Sequence, residues 1–138
     1  MGKIKKQLLL LLLLIGSVSY AQVIKFKSTS FSTKIKSEST GRWSSWSKYE
    51  ETEVLITIDL DDNRVRIFSK SEQEYDIIKY YDKEIDADGD ETLKFYCVNE
   101  DGRKCYVRFV ILNSKNGQRQ LYIDFADLMW MYNIYKLE

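Results

Sequence analysis

The stretch at residues 93–125, LKFYCVNEDGRKCYVRFVILNSKNGQRQLYIDF, decides the fold. Apolar or thiol side chains alternate with polar ones along it, which is the period of a β-strand with one buried face. Two segments interrupt the alternation, NEDGR at residues 99–103 and SKNGQ at residues 114–118. Each carries a glycine that can adopt the left-handed conformation closing a three-residue hairpin loop. The stretch therefore predicts three consecutive antiparallel strands.

Three-residue loops at both turns fix a register between these strands. The first turn places Cys97 opposite Cys105, and the outer face then pairs Tyr96 with Tyr106. The predicted inner-face pairs are Leu93 with Phe109, Phe95 with Val107, Ile111 with Leu121, Phe109 with Ile123, and Val107 with Phe125. Because the turn chemistry and the apolar pattern agree, one face of all three strands is predicted to be buried.

The neighbouring segments extend the same architecture. Residues 54–60 and 64–67 alternate, and a two-residue loop at Asp62 and Asn63 sets Leu60 opposite Val65 and Ile58 opposite Ile67. Residues 23–35 and 75–82 have strand character, and residues 128–137 are predicted as a buried last strand, with a helix as the alternative. We therefore expect an all-β, antiparallel up-and-down meander of about eight strands, as a small closed or flattened, calycin-like barrel, since closure removes exposed edges.

The amino terminus has the three parts of a secretory signal peptide. A cationic start precedes an unbroken apolar run at residues 8–15, and Ser19 and Ala21 put small residues before a cleavage site at Gln22. The apolar stretch is shorter than the ~20 residues of a membrane-spanning helix, so we expect cleavage rather than anchoring. Residues 1–21 are thus predicted to be a leader and residues 22–138 a single all-β domain, exported to the periplasm or secreted.

Composition narrows the possible functions. Three of the 21 basic residues lie in the leader, so 18 remain beside 21 acidic ones, a net charge of −3 that argues against binding to nucleic acid or anionic membranes. The chain has no histidine, which removes histidine-activated nucleophiles and histidine-ligated metals. We expect no enzyme activity, no catalytic residues, no cofactor and no metal.

Cys97 and Cys105 are a candidate disulfide, because the predicted register sets them opposite each other and export leads to an oxidising compartment. The alternative is a pair of buried free thiols. The same register makes theirs a hydrogen-bonded pair, which strains a disulfide. A redox catalyst is disfavoured, since the spacing is far from C-x-x-C.

Trp43 and Trp46 are the candidate ligand-binding residues. They belong to the segment GRWSSWS at residues 41–47, whose G-x-W resembles the lipocalin signature. That resemblance implies a tryptophan that closes one end of a barrel. The alternative is purely structural, one tryptophan plugging the core beside another at the surface. The W-S-x-W-S spacing is also similar to motifs of thrombospondin repeats and cytokine receptors, but those domains need disulfides or prolines that are missing here.

The segment DADGDE at residues 86–91 is typical of an acidic hairpin turn. A calcium-binding EF-hand loop requires glycine at its sixth position and glutamate at its twelfth, whereas Gly89 is fourth here and Cys97 is twelfth. No metal site is therefore predicted.

As a whole, the chain resembles short exported β-proteins of unassigned function from Bacteroidota-type bacteria. The resemblance rests on the Ala-Gln leader end, the W-S-x-W segment, and the YDII, DGD and LYIDF segments. It implies an envelope location. We expect a binding module for a small apolar or aromatic ligand held among Phe95, Val107, Phe109 and Ile123. The alternative is an envelope protein-interaction or inhibitor-type protein, similar by fold analogy to lysozyme inhibitors, with Tyr96, Tyr106 or Trp46 as anchors.

Overall fold

The structure, a computed structural model, describes residues 23–137, which form ten β-strands and one short 3₁₀ turn. The strands are β1 (Val23–Ile35), β2 (Glu50–Glu51), β3 (Leu55–Asp59), β4 (Arg64–Ile67), β5 (Gln73–Tyr80), β6 (Glu84–Ile85), β7 (Glu91–Asn99), β8 (Lys104–Leu112), β9 (Gln118–Asp124) and β10 (Leu128–Lys136). The predicted leader lies outside the described residues. Within them, no helix is long and apolar enough to cross a membrane.

Eight strands form a closed antiparallel barrel in the order β1-β3-β4-β5-β7-β8-β9-β10, and β10 pairs back with β1. The two short strands are additions, β2 beside β1 and β6 beside β7. The predicted all-β meander and its closure are therefore confirmed, including a strand rather than a helix at residues 128–136. Closure satisfies the backbone groups that an open sheet would expose along its edges.

The β7–β8 hairpin has the predicted register. Phe95 lies opposite Val107, and Cys97 lies opposite Cys105. The Asn99 N–H donates to the Arg103 carbonyl at 2.8 Å, and Gly102 has a φ of 81°. A glycine is favoured there because a side chain strains this left-handed conformation.

The predicted β3–β4 register was wrong by two residues. Ile58 lies opposite Val65 rather than Ile67, because the turn contains four residues, 60–63, rather than two. The Asp59 carboxylate accepts hydrogen bonds from the Asp61 and Asp62 N–H groups, both at 3.1 Å, and so holds the longer turn. Within this longer turn, Asn63 has a positive φ of 53°.

The predicted β8–β9 register was also wrong by two residues, since Phe109 lies opposite Leu121 rather than Ile123. The turn is five residues long, with a 3₁₀ segment at Asn113–Lys115 and with Asn116 and Gly117 both at positive φ. A shift of two residues preserves the side-chain period of a strand, so the predicted inner face is still the buried one.

One hydrophobic core occupies the interior of the barrel. Ile56, Val65, Ile67, Val107 and Ile123 are fully buried, and Phe95 is nearly so. Burial of each such side chain stabilises the fold by about 1.5–3 kcal/mol before chain entropy is counted. The middle of the barrel is therefore solid.

Candidate functional site: the open end of the barrel

The two ends of the barrel differ. At the end where β5 and β10 begin, Trp130 packs edge-on against Phe125 with ring centres 5.6 Å apart, and Tyr75 lies 6.4 Å from Phe125. The Arg103 guanidinium covers the Phe125 ring at 4.6 Å. This aromatic cluster occupies the interior at that end, beside a more polar cavity of about 240 Å³ that Tyr75, Asn99 and Trp130 help to line.

The opposite end, where β1, β7 and β9 begin, holds a cavity of about 290 Å³. Its floor includes Phe26 and Phe109, whose rings are stacked with centres 5.5 Å apart. The lining comprises Ile24, Phe26, Ile58, Lys83, Glu91, Leu93, Phe109, Val110, Ile111, Arg119, Ile134 and Lys136. Of the four residues expected to line a cavity only Phe109 does so, because Phe95, Val107 and Ile123 fill the solid middle.

Charged residues stand on the inner face at the mouth of this cavity. Ile111 lies opposite Glu91 on one side and Arg119 on the other, and Arg119 is in turn opposite Ile134. Residues directly opposite on antiparallel strands project from the same face. The buried Ile134 therefore places Glu91 and Arg119 on the inner side, and Lys136 follows because it lies opposite the buried Phe26.

The charge of Glu91 is compensated locally. Its carboxylate accepts a hydrogen bond from the Lys83 Nζ at 2.6 Å and another from the Asn113 Nδ2 at 2.9 Å. These contacts, that with Lys83 foremost, hold the pKa of Glu91 below its ordinary value. By contrast, neither Arg119 nor Lys136 forms an ion pair with any residue between 23 and 137.

These three charged residues were not predicted from the sequence, although their positions carry a signal. Glu91 precedes Leu93 by two positions, Arg119 precedes Leu121 by two, and Lys136 follows Ile134 by two. Each charge thus continues the phase of a buried face beyond its last apolar residue. A charged residue at such a position indicates the end of a barrel that opens to solvent.

Trp43 and Trp46 lie away from the cavity, on the segment between β1 and β2. Two serines of this segment bind the free edge of β1. The Thr33 N–H donates to the Ser47 hydroxyl at 2.9 Å, and the Ile35 N–H donates to the Ser44 hydroxyl at 3.0 Å. The Ser-rich segment therefore serves as a substitute for a neighbouring strand.

The side chains of Trp43 and Trp46 lie on the outside of the barrel. Trp46 packs edge-on against Tyr122 at 6.0 Å, with the Lys34 ammonium 5.1 Å from its ring centre. Trp43 pairs with Lys36 and does not belong to the core cluster of the described residues. The expectation that one of these tryptophans plugs the core was therefore wrong, since neither Trp43 nor Trp46 belongs to the core cluster of the described residues.

The outer-face tyrosines are paired as predicted. Tyr96 lies opposite Tyr106 with ring centres 5.2 Å apart. The Lys94 ammonium lies 5.0 Å from the Tyr106 ring centre, and the Arg108 guanidinium lies 4.2 Å from that of Tyr122. Cations of the chain itself thus lie over the Tyr106 and Tyr122 rings.

The predicted disulfide between Cys97 and Cys105 is not present: both cysteines are buried free thiols. The pair lies two residues inside the Asn99–Arg103 closing pair, so it occupies the hydrogen-bonded position, where opposite Cα atoms are farther apart. Burial raises the pKa of both thiols to about 12.

The acidic hairpin turn is confirmed between β6 and β7. The Asp86 N–H donates to the Asp90 carbonyl at 3.0 Å, and the Asp86 carboxylate accepts from the Asp88 and Asp90 N–H groups, both at 2.9 Å. The Asp90 carboxylate accepts from the backbone N–H and hydroxyl of Ser114. Carboxylate oxygens of Asp86, Asp88 and Asp90 lie within 4.8 Å of one another, an arrangement that the turn itself explains.

Comparison of the chain with protein-family models, with curated proteins and with solved structures finds no match.

Proposed function

We propose that this protein is an exported binding module that holds a small apolar ligand in the open end of its barrel, without catalysis. The observation that carries the proposal is the cavity of about 290 Å³ with the stacked Phe26 and Phe109 rings at its floor. A barrel that served only as a scaffold has no need of an unfilled apolar end, since unfilled core volume costs stability.

The size of the cavity limits the ligand. Small-molecule sites are mostly apolar concavities of roughly 300–1,000 Å³, so this one falls at the small end. At ~30 Å³ for a group the size of a water molecule, about ten such groups fill it. The ligand is accordingly expected to be a short chain or a single small ring system.

Two observations weigh against the other candidate functions. Of the proposed protein-binding anchors, Tyr106 and Trp46 have ring faces engaged by Lys94 and Lys34 respectively. In the cavity, the lowered pKa of Glu91 keeps its carboxylate charged, whereas a general acid needs a raised carboxylate pKa. The first observation weighs against a protein-binding surface and the second against acid catalysis by Glu91.

A fluorescence titration with 1-aminoanthracene, a small neutral probe, tests the proposal. We expect saturable binding of one probe per chain. Leu93→Trp, which adds volume at the cavity wall, should weaken binding at least tenfold, while Ile35→Trp, at a position 60% exposed at the opposite end of the barrel, should not. Circular dichroism checks that both variants are folded. Absence of saturable binding, or equal binding by folded Leu93→Trp protein, would contradict the proposal.

A further inference from the structure

We infer that the ligand of this cavity is a small amphiphile with an anionic head group, which Arg119 and Lys136 hold at the mouth. The inference rests on the proposed function and adds the chemistry of the ligand and the direction in which it lies. Its apolar part occupies the cavity toward Phe26 and Phe109, and its charged end faces solvent.

The first support is position. The register places Arg119 and Lys136 on the inner face of β9 and β10, where they lie opposite Ile134 and Phe26 respectively. Interior and exterior positions alternate along every strand of a barrel, so both cations continue the interior phase at the strand ends. Both cations line the same cavity as the Phe26 and Phe109 rings.

The second support is the balance of charge. The cavity lining has three cationic side chains and one anionic, and the anionic one, Glu91, is held by Lys83 and Asn113. Arg119 and Lys136 then remain without an ion pair among residues 23–137. The side chains that line the cavity therefore carry a net charge of +2, although the chain after removal of its leader is predicted to be slightly acidic.

The third support is the cost of the alternatives. A neutral or cationic ligand that covered the mouth would take water from two cations and give them no partner. A carboxylate, sulfate or phosphate would supply one, and a guanidinium can bind such a group through two parallel hydrogen bonds. Apolar walls with two adjacent cations thus match an anionic amphiphile.

Competition with the neutral probe 1-aminoanthracene tests the inference, using decanoate and decanol at low ionic strength. The two competitors share one hydrocarbon chain and differ in charge. We expect decanoate to bind about tenfold more tightly than decanol to the unmodified protein. In Arg119→Gln/Lys136→Gln, decanoate should lose nearly all of that advantage, while decanol affinity stays within about twofold. The matched control is Arg42→Gln/Lys48→Gln, which removes two exposed charges from the segment between β1 and β2 and should keep the full preference.

The outcomes separate the inference from the function on which it rests. Equal competition by decanoate and decanol, or a preference that survives in Arg119→Gln/Lys136→Gln, overturns the anionic head group and leaves the apolar site standing. Failure of 1-aminoanthracene itself to bind overturns both. Retained decanol binding by the double variant shows that it is folded, so a lost preference is then due to charge.

Discussion

Glu91 and Arg119 flank Ile111 on the inner face of the barrel, each lying directly opposite it on a neighbouring strand. Opposite charges thus stand on either side of one apolar residue at the open end. The carboxylate is engaged by Lys83 and Asn113. The Lys83–Glu91 pair is therefore a structural feature of the mouth, and Arg119 is the residue to which we assign the proposed ligand's head group.

The Lys83–Glu91 contact predicts a pH effect. Because Lys83 is the foremost cause of the lowered pKa of Glu91, Lys83→Met should raise that pKa toward its ordinary value. A carboxyl whose pKa is depressed by folding stabilises the fold above its unfolded pKa, and this contribution is lost as the pH falls through the folded value. An NMR titration of the Glu91 side-chain carboxyl carbon measures the pKa directly.

Lys70→Met is the control for that titration, since Lys70 is an exposed residue of the β4–β5 connection. It should leave the Glu91 pKa unchanged. An unchanged Glu91 pKa in Lys83→Met would show that the ion pair does not govern the titration.

The raised pKa values of the two buried thiols predict slow alkylation of the folded protein and a fall in its free energy of unfolding at alkaline pH. With pKa values of about 12, Cys97 and Cys105 should resist iodoacetamide in the folded protein at pH 8, and both should react in denaturant. Thiols in the unfolded chain ionise near pH 8.5, so the free energy of unfolding should fall above that pH. Between pH 8 and 10 we expect each thiol to account for a loss of about 2 kcal/mol, so the pair accounts for about 4 kcal/mol.

Urea unfolding of the unmodified protein and of Cys97→Ala/Cys105→Ala at both pH values isolates the thiol contribution. The variant should start less stable, because it leaves unfilled core volume, yet lose less stability on the shift to pH 10. Rapid alkylation of the folded protein, or equal pH slopes, would count against raised thiol pKa values.

Ser45 and Ser47, the two serines that flank Trp46, are predicted to differ in how much they contribute to the stability of the protein. Ser47→Ala removes the acceptor for the Thr33 N–H and a contact with the Ser32 hydroxyl, so it should destabilise the protein by about 1–2 kcal/mol. Ser45→Ala is the matched control, because among the described residues the Ser45 side chain makes no hydrogen bond, and it should change stability by less than about 0.5 kcal/mol. Urea unfolding at one pH compares them, and equal costs would refute the role of strand substitute.

Most of the fold could be predicted from the sequence because strand alternation and glycine turns act locally. The β7–β8 hairpin shows this: its turn type, its register and its buried face all agree with the expectation. At the other two hairpins only the face could be predicted. At the β3–β4 turn, hydrogen bonds to the Asp59 carboxylate favour a loop two residues longer than predicted. At the β8–β9 turn, the hydrogen bond from Ser114 to Asp90 has the same effect.

The site was less predictable, for a related reason. With the three-residue loop, Arg119 would stand opposite Asn113 at the turn, whereas the observed register sets it opposite Ile111 within the barrel. The cavity also depends on which apolar residues meet across the barrel, and the stacking of Phe26 on Phe109 joins strands far apart in sequence. Periodicity gives the face of each residue but not the partner that it meets.

The β3–β4 turn gives a last prediction, which tests why its register departs from the expected one. Asp59→Ala removes the carboxylate that holds the Asp61 and Asp62 N–H groups, so it should cost about 1 kcal/mol of stability. Asp62→Ala is the control, because the described residues give the Asp62 side chain no hydrogen bond, and it should cost less than half as much. Thermal unfolding of the two variants under one buffer condition decides the matter. A cost for Asp62→Ala equal to that for Asp59→Ala would mean that the acidic composition of the turn, rather than the Asp59 hydrogen bonds, sets its length, since both variants remove the same charge.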